Sequence, residues 1–137
     1  MFKKLNKKGF TLAELLVVVA IIGVLVAISI PIFTSQLAKA RLATNQANAR
    51  AAYAAATTDY LMQDTNTSGA YYTYTTSSGT VEAKTTAPAA AINSTDKDIS
   101  TWKTSTLISE KKMGDATYGT WYVQLGADGK VVGYGCN

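Results

Sequence analysis

The sequence predicts an α+β chain. A long N-terminal α-helix, transmembrane in its first half and kinked near Pro31, carries a small C-terminal antiparallel sheet packed on its outer half. Three observations predict it. From Leu15 to Ile28 there is no polar side chain. After Pro31, alanine-rich, helix-forming sequence resumes and runs from Gln36 to Met62. Near the C-terminus, Asp128-Gly129 separates two strand-like segments, Thr120 to Gly126 and Val131 to Cys136.

The apolar run from Phe10 to Phe33 is about 36 Å long as a helix at 1.5 Å per residue, enough to cross a hydrocarbon core of about 30 Å. Lys3, Lys4, Lys7 and Lys8 precede it, and the first charge on its far side is Lys39. By the positive-inside rule the N-terminus lies in the cytoplasm and the rest of the chain is sent outward. The same pattern also describes a secretory signal peptide removed near Ser29, or an uncut anchor. Both leave Glu14 unexplained. A carboxylate costs about 2.5 to 3.5 kcal/mol at the centre of a membrane helix, less toward its edge. An ionisable group there is a functional hypothesis whose partner has to be named. A cut between Gly9 and Phe10 would create a cationic α-amine at the membrane edge. Glu14 lies about one turn away from it, within reach in the same helix or in a neighbour offset along a fibre axis.

The stretch Lys7-Lys8-Gly9-Phe10-Thr11-Leu12-Ala13-Glu14-Leu15-Leu16 resembles the class III signal of the type IV pilins and their relatives. The resemblance covers roughly Lys7 to Phe33, about a fifth of the chain. It implies cleavage after Gly9 by prepilin peptidase and N-methylation of the new first residue, Phe10. It assigns filament assembly to Phe10, Thr11 and Glu14, together with Gly23, where the family's helix can melt, and Pro31, which kinks it. The layout that follows is a leader at 1–9, a transmembrane and filament-core helix at 10–33, an amphipathic continuation at 34–63 and a globular head at 64–137.

The function implied by the resemblance is structural: a major pilin, anchored in the cytoplasmic membrane before assembly and part of a surface fibre afterwards. Its partners would be its own copies in a helical filament, prepilin peptidase, a polytopic membrane platform and a cytoplasmic ATPase. Such fibres serve adhesion, twitching movement, DNA uptake or secretion. One alternative is a pseudopilin of a type II secretion or competence machine. Another is a secreted or anchored binding module that does not assemble. Many pilins of double-membrane bacteria close a C-terminal loop with two cysteines, and this chain has one.

Composition supports a structural role. The leader holds four of the 13 basic residues and none of the nine acidic ones, so the mature chain is side-chain neutral and direct binding of nucleic acid is not expected. Without histidine there is no Ser-His-Asp or Cys-His catalysis and no His-ligated metal. The lone Cys136 has no partner for an internal disulfide or zinc cluster, and there is no phosphate-binding glycine loop. Neither an enzyme nor a cofactor is expected. Cys136 reads as a small buried hydrophobe, with a reactive thiol as the alternative.

Beyond Leu37 the helix presents two stripes at 100° per residue. Leu42, Ala49, Tyr53, Ala56 and Tyr60 form a bulky one, expected against the chain's own sheet. Ala40, Thr44, Ala47, Ala51, Ala54 and Thr58 form a small one on the opposite side, suited to close approach of neighbouring helices; alanine as plain helix former is the alternative. The Thr/Ser-rich stretch from Asp64 to Ser100 reads as a long loop with one short strand around Tyr71 to Thr76. Asn66-Thr67-Ser68 and Asn93-Ser94-Thr95 match the N-glycosylation pattern. In the C-terminal hairpin a two-residue Asp-Gly turn sets Leu125 opposite Val132, Val123 opposite Tyr134 and Trp121 opposite Cys136. A third strand is expected within Thr104 to Glu110, because two strands alone are marginal.

Overall fold

The computed structural model describes residues 9–63 and 70–137. Asn66-Thr67-Ser68 and the leader lysines lie outside them. The chain divides into two compact units, Met1–Ser35 and Gln36–Asn137, and one helix, α1 (Leu12–Met62), contributes to both.

In the first unit every described residue is exposed. Apolar side chains follow one another here with no partner surface among the described residues, so the helix is held by its own backbone hydrogen bonds. That suits a hydrocarbon environment, where every backbone polar group must be satisfied internally. The helix continues through Pro31.

In the second unit, four strands form one antiparallel sheet in the order β2-β1-β5-β6: β1 (Ala70–Thr75), β2 (Thr80–Lys84), β5 (Thr120–Leu125) and β6 (Val131–Cys136). Alternation along β5 buries Trp121, Val123 and Leu125 and turns Tyr122 and Gln124 outward. Tyr72 on β1 lies opposite Val123, and Tyr134 on β6 opposite the same residue from the other side. Against this face lies the row Asn45, Ala49, Ala52, Ala56 and Tyr60 of α1, all buried. Trp102 fills the end of the core, stacked on Trp121 at 5.9 Å and edge-on to Tyr134 at 5.6 Å.

The expected bulky stripe is largely present, with Ala49, Ala56 and Tyr60 buried and Leu42 packed at the margin. Tyr53 is instead 37% exposed. At 100° per residue it stands about 60° from the centre of the buried row. All six small-stripe residues face away from the sheet and are exposed.

The third strand differs from expectation. Leu107–Ile108 (β3) pairs only with Lys111–Lys112 (β4), in a separate two-stranded ladder. The cause is local: Ser109 and Glu110 both take positive φ, 49° and 65°, so the chain reverses after two residues. The main sheet recruits β1 and β2 from the stretch read as loop. β1 matches the short strand expected around Tyr71 to Thr76, while β2 was not anticipated.

The β5–β6 turn also differs. A two-residue type I′ turn needs positive φ at both Asp128 and Gly129, and only Gly129 has it, at 73°. The loop is therefore Ala127-Asp128-Gly129, closed by Gly126 N–H donating to the Lys130 carbonyl at 2.9 Å. Leu125 accordingly faces Val131 rather than Val132. A bulge at Val132 takes up the extra residue, so Val123–Tyr134 and Trp121–Cys136 stand as expected.

Candidate functional site

Gly9 and Phe10 precede the helix and are exposed, Phe10 at 92%. Thr11 caps α1. Its backbone N–H donates to Glu14 Oε2 at 2.9 Å, and the Glu14 N–H donates to Thr11 Oγ1 at 3.2 Å. This reciprocal pair is a capping box, which satisfies two of the four amide donors that a helix start leaves open. A carboxylate in the first turn is also favoured by the helix dipole. Its signal is the spacing Thr11-Leu12-Ala13-Glu14, which a reading of Glu14 as a charge alone passes over.

The structure thus brings Phe10, Thr11 and Glu14 together at one end of α1, and Phe10, Ala13, Glu14, Val17 and Val18 line a shallow apolar groove there. Gly23 and Pro31 lie further along. A Cβ on Gly23 would meet nothing, so no packing within the chain demands glycine at this point. Its presence costs about 1 kcal/mol of helix propensity relative to alanine. Pro31 has no N–H and leaves the Ala27 carbonyl without its usual donor. The nearby hydroxyls are satisfied inside the helix: Ser29 Oγ donates to the Leu25 carbonyl at 2.7 Å, and Thr34 Oγ1 to the Pro31 carbonyl at 3.0 Å.

In the second unit, polar side chains of α1 fasten the 113–118 segment. Asn45, fully buried, donates through Nδ2 to the carbonyls of Met113 (2.9 Å) and Ala116 (2.8 Å) and accepts from the Tyr118 N–H at 3.1 Å. Arg41 donates to the Asp115 carbonyl at 2.7 Å. Sequence reasoning missed Asn45, because an asparagine in a helix ordinarily faces water.

Cys136 is fully buried and donates to the Ile108 carbonyl at 3.4 Å. Burial pushes its thiol up to about 12, so it behaves as the small hydrophobe expected. Asn93 is an unsuitable glycan acceptor: its side-chain amide donates to Asp96 and the Leu107 carbonyl, and its Oδ1 accepts the N–H groups of Thr95 and Asp96.

The prokaryotic N-terminal methylation motif matches residues 4–30. Two curated proteins are similar to the chain. Fimbrial protein EcpB of Eikenella corrodens is 53% identical over 37 residues, 27% of this chain and 23% of that protein. The type IV narrow pilus major component PilA5 of Thermus thermophilus is 48% identical over 56 residues, 39% of this chain and 48% of that protein. The matches therefore span between about a quarter and a half of those relatives. No solved structure matches the chain. The motif and the two pilus proteins agree with the exposed apolar helix and its capped, carboxylate-bearing start, and in this N-terminal segment the chain carries the prokaryotic methylation motif and is similar to type IV pilus proteins.

Proposed function

We propose that the chain is a structural subunit of a type IV pilus filament, a major pilin by its size and unbroken apolar helix. In this reading prepilin peptidase removes residues 1–9 and Phe10 is N-methylated. The membrane holds the subunit by α1, its N-terminus on the cytoplasmic side, until a membrane platform and its ATPase add it to a fibre. The observation that carries the proposal is the fully exposed apolar half of α1 with Glu14 as its one carboxylate. Bundling such helices from many copies covers that surface, and contacts that repeat without closing generate a filament.

Glu14 fits this role. Its Oε2 is held by the Thr11 N–H, while Oε1 makes no hydrogen bond among the described residues. A carboxylate accepts through both oxygens, so the second one remains for the cationic amine of Phe10, in the same helix or a neighbour's. The capping box aims the carboxylate, and the pairing sets the axial register.

The test is the N-terminal residue and mass of chain recovered from sheared surface fibres. N-methylated Phe10 is expected. A start near Pro31 would make the apolar run a discarded signal and overturn the proposal.

A further inference from the structure

Tyr122 stands on the outer face of β5, opposite Gly135, which offers no side chain. Around it the 89–91 segment and the turn at Ser109 and Glu110 rise to enclose an open cavity of about 420 Å³, with Glu110 and Lys111 in its wall. Small-ligand sites typically measure about 300 to 1,000 Å³. The turn is strained, since Ser109 and Glu110 both hold positive φ without being glycine. Such conformations cost on the order of 1 to 3 kcal/mol each and persist only where the surroundings enforce them. Here the Ser109 hydroxyl enforces them, donating to the Ala91 carbonyl at 2.6 Å and accepting from the Cys136 N–H at 2.9 Å.

We infer that this cavity binds a neutral oligosaccharide. The chemistry of the wall selects the class. Glu110 and Lys111 cancel in charge, and among the described residues no group of three carboxylate, thiol or imidazole side chains converges on a cation. A lone ammonium with no helix start or amide nest beside it is a poor phosphate site. The polar rim is equally poor for an acyl chain. A sugar ring fits both halves: its C–H edges carry slight positive charge and lie against the negative π-face of Tyr122, while its hydroxyls both donate and accept. Lys111 Nζ donates to Asn137 Oδ1 at 2.8 Å and keeps two of its three donors; Glu110 supplies acceptors.

A second ring extends the platform. Thr73 faces Tyr122 and Tyr71 faces Gln124, so Tyr71 is the diagonal neighbour of Tyr122 on the outer face, about 7 to 8 Å away. Gln124 Nε2 donates to the Tyr71 hydroxyl at 3.5 Å. Tyr71 thus flanks the cavity on the same face without forming part of its wall.

The inference is independent of whether the chain forms fibres, and its test uses the full chain in phosphatidylcholine nanodiscs, probed with a printed array of neutral oligosaccharides. Hits are then measured by saturation-transfer NMR, with inorganic phosphate and calcium as controls. Binding to at least one array member is expected, weakened about tenfold or more by Tyr122→Ala and measurably by Glu110→Gln. The near-ultraviolet signal of the Trp102–Trp121 stack checks that both variants remain folded. Three results would each overturn the inference: no binding to any array member up to about 10 mM in the NMR measurement, unchanged binding by folded Tyr122→Ala, or phosphate displacing the sugar.

Discussion

Asn45 and Tyr118 are joined through the fully buried polar side chain of α1: Asn45 Oδ1 accepts the Tyr118 backbone N–H at 3.1 Å, while its Nδ2 holds two carbonyls. Asn45→Ala leaves three backbone groups in or near the core without partners. Each such loss costs about 1 to 3 kcal/mol when the group stays buried, and partial relaxation brings the expected total to about 3 kcal/mol. Urea unfolding of the full chain in nanodiscs, followed by tryptophan fluorescence, measures it. A change within about 0.5 kcal/mol, the size of an ordinary surface substitution, would show that the clasp contributes nothing.

Glu14 combines a helix cap with a charge, and Glu14→Gln separates them. Glutamine serves at the same position of a capping box but cannot form an ion pair. The helix start is expected to keep its hydrogen-exchange protection while filament yield falls sharply. Wild-type yield of fibres from the Gln variant would confine Glu14 to capping.

Alkaline pH is expected to destabilise the second unit. Burial raises Cys136 from 9.0 and Tyr134 from 10.0, each to about 12. A folded-state value above the unfolded one means that the stabilisation is complete below the unfolded value and is lost as pH rises toward the folded one. Stability should therefore fall between about pH 9 and 12 as the unfolded state loses its protons first. Native chain should also resist a maleimide at pH 8 and react after denaturation. Rapid native labelling would contradict a protonated, enclosed thiol.

At the acid end, Asp98 is held below its usual value by the hydroxyl and N–H of Ser100. Its contribution is present above the unfolded value of 3.8 and is lost as pH falls toward the folded one. Ser100→Ala should shrink the acid-side loss of stability in a pH titration, leaving the alkaline side unchanged.

Gly133 admits no side chain. A Cβ there would sit 2.5 Å from the Asn93 carbonyl oxygen and 2.6 Å from Ile92 Cγ2. Because the first of these is backbone, Gly133→Ala should cost about 1 to 3 kcal/mol and loosen the 91–93 segment, seen as faster amide exchange at Asn93. Gly23→Ala, which meets nothing, is the control and should leave the second unit's stability unchanged.

The helix was legible because its signals are redundant: apolar content, alanine and length all agree from Leu12 to Met62. The inner pairs of the hairpin were legible for a less secure reason. The turn has one residue more than the Asp-Gly pattern suggests, and the bulge at Val132 restores the register beyond it. β2 was not legible, because Thr80-Val81-Glu82-Ala83-Lys84 contains one large apolar residue and lies at the sheet's margin, where little burial is asked of it. Of the candidate site, Glu14 stood out by its charge within the apolar run, whereas Gly9 and Phe10 were marked by the resemblance of Lys7 to Leu16 to a class III signal. The cap joining Thr11 to Glu14 needed the first-turn pattern as well. Asn45 and the Ser109 hydroxyl act across 18 to 73 residues of sequence, a distance at which pattern carries no information about partners.

Where the 91–93 segment crosses Gly133 and Gly135, it also settles what the sheet can join. Asn93 exchanges two backbone hydrogen bonds with Tyr134, and Ser109 occupies the Cys136 N–H, so the outer border of β6 is sealed. The opposite border, β2, carries Glu82 and Lys84, charges that discourage strand-to-strand docking. A chain concentrated in a membrane or a fibre meets its own copies constantly. With one border closed and the other charged, such encounters are steered away from sheet fusion and amyloid-like stacking, which in the proposed fibre leaves ordered association to the helix.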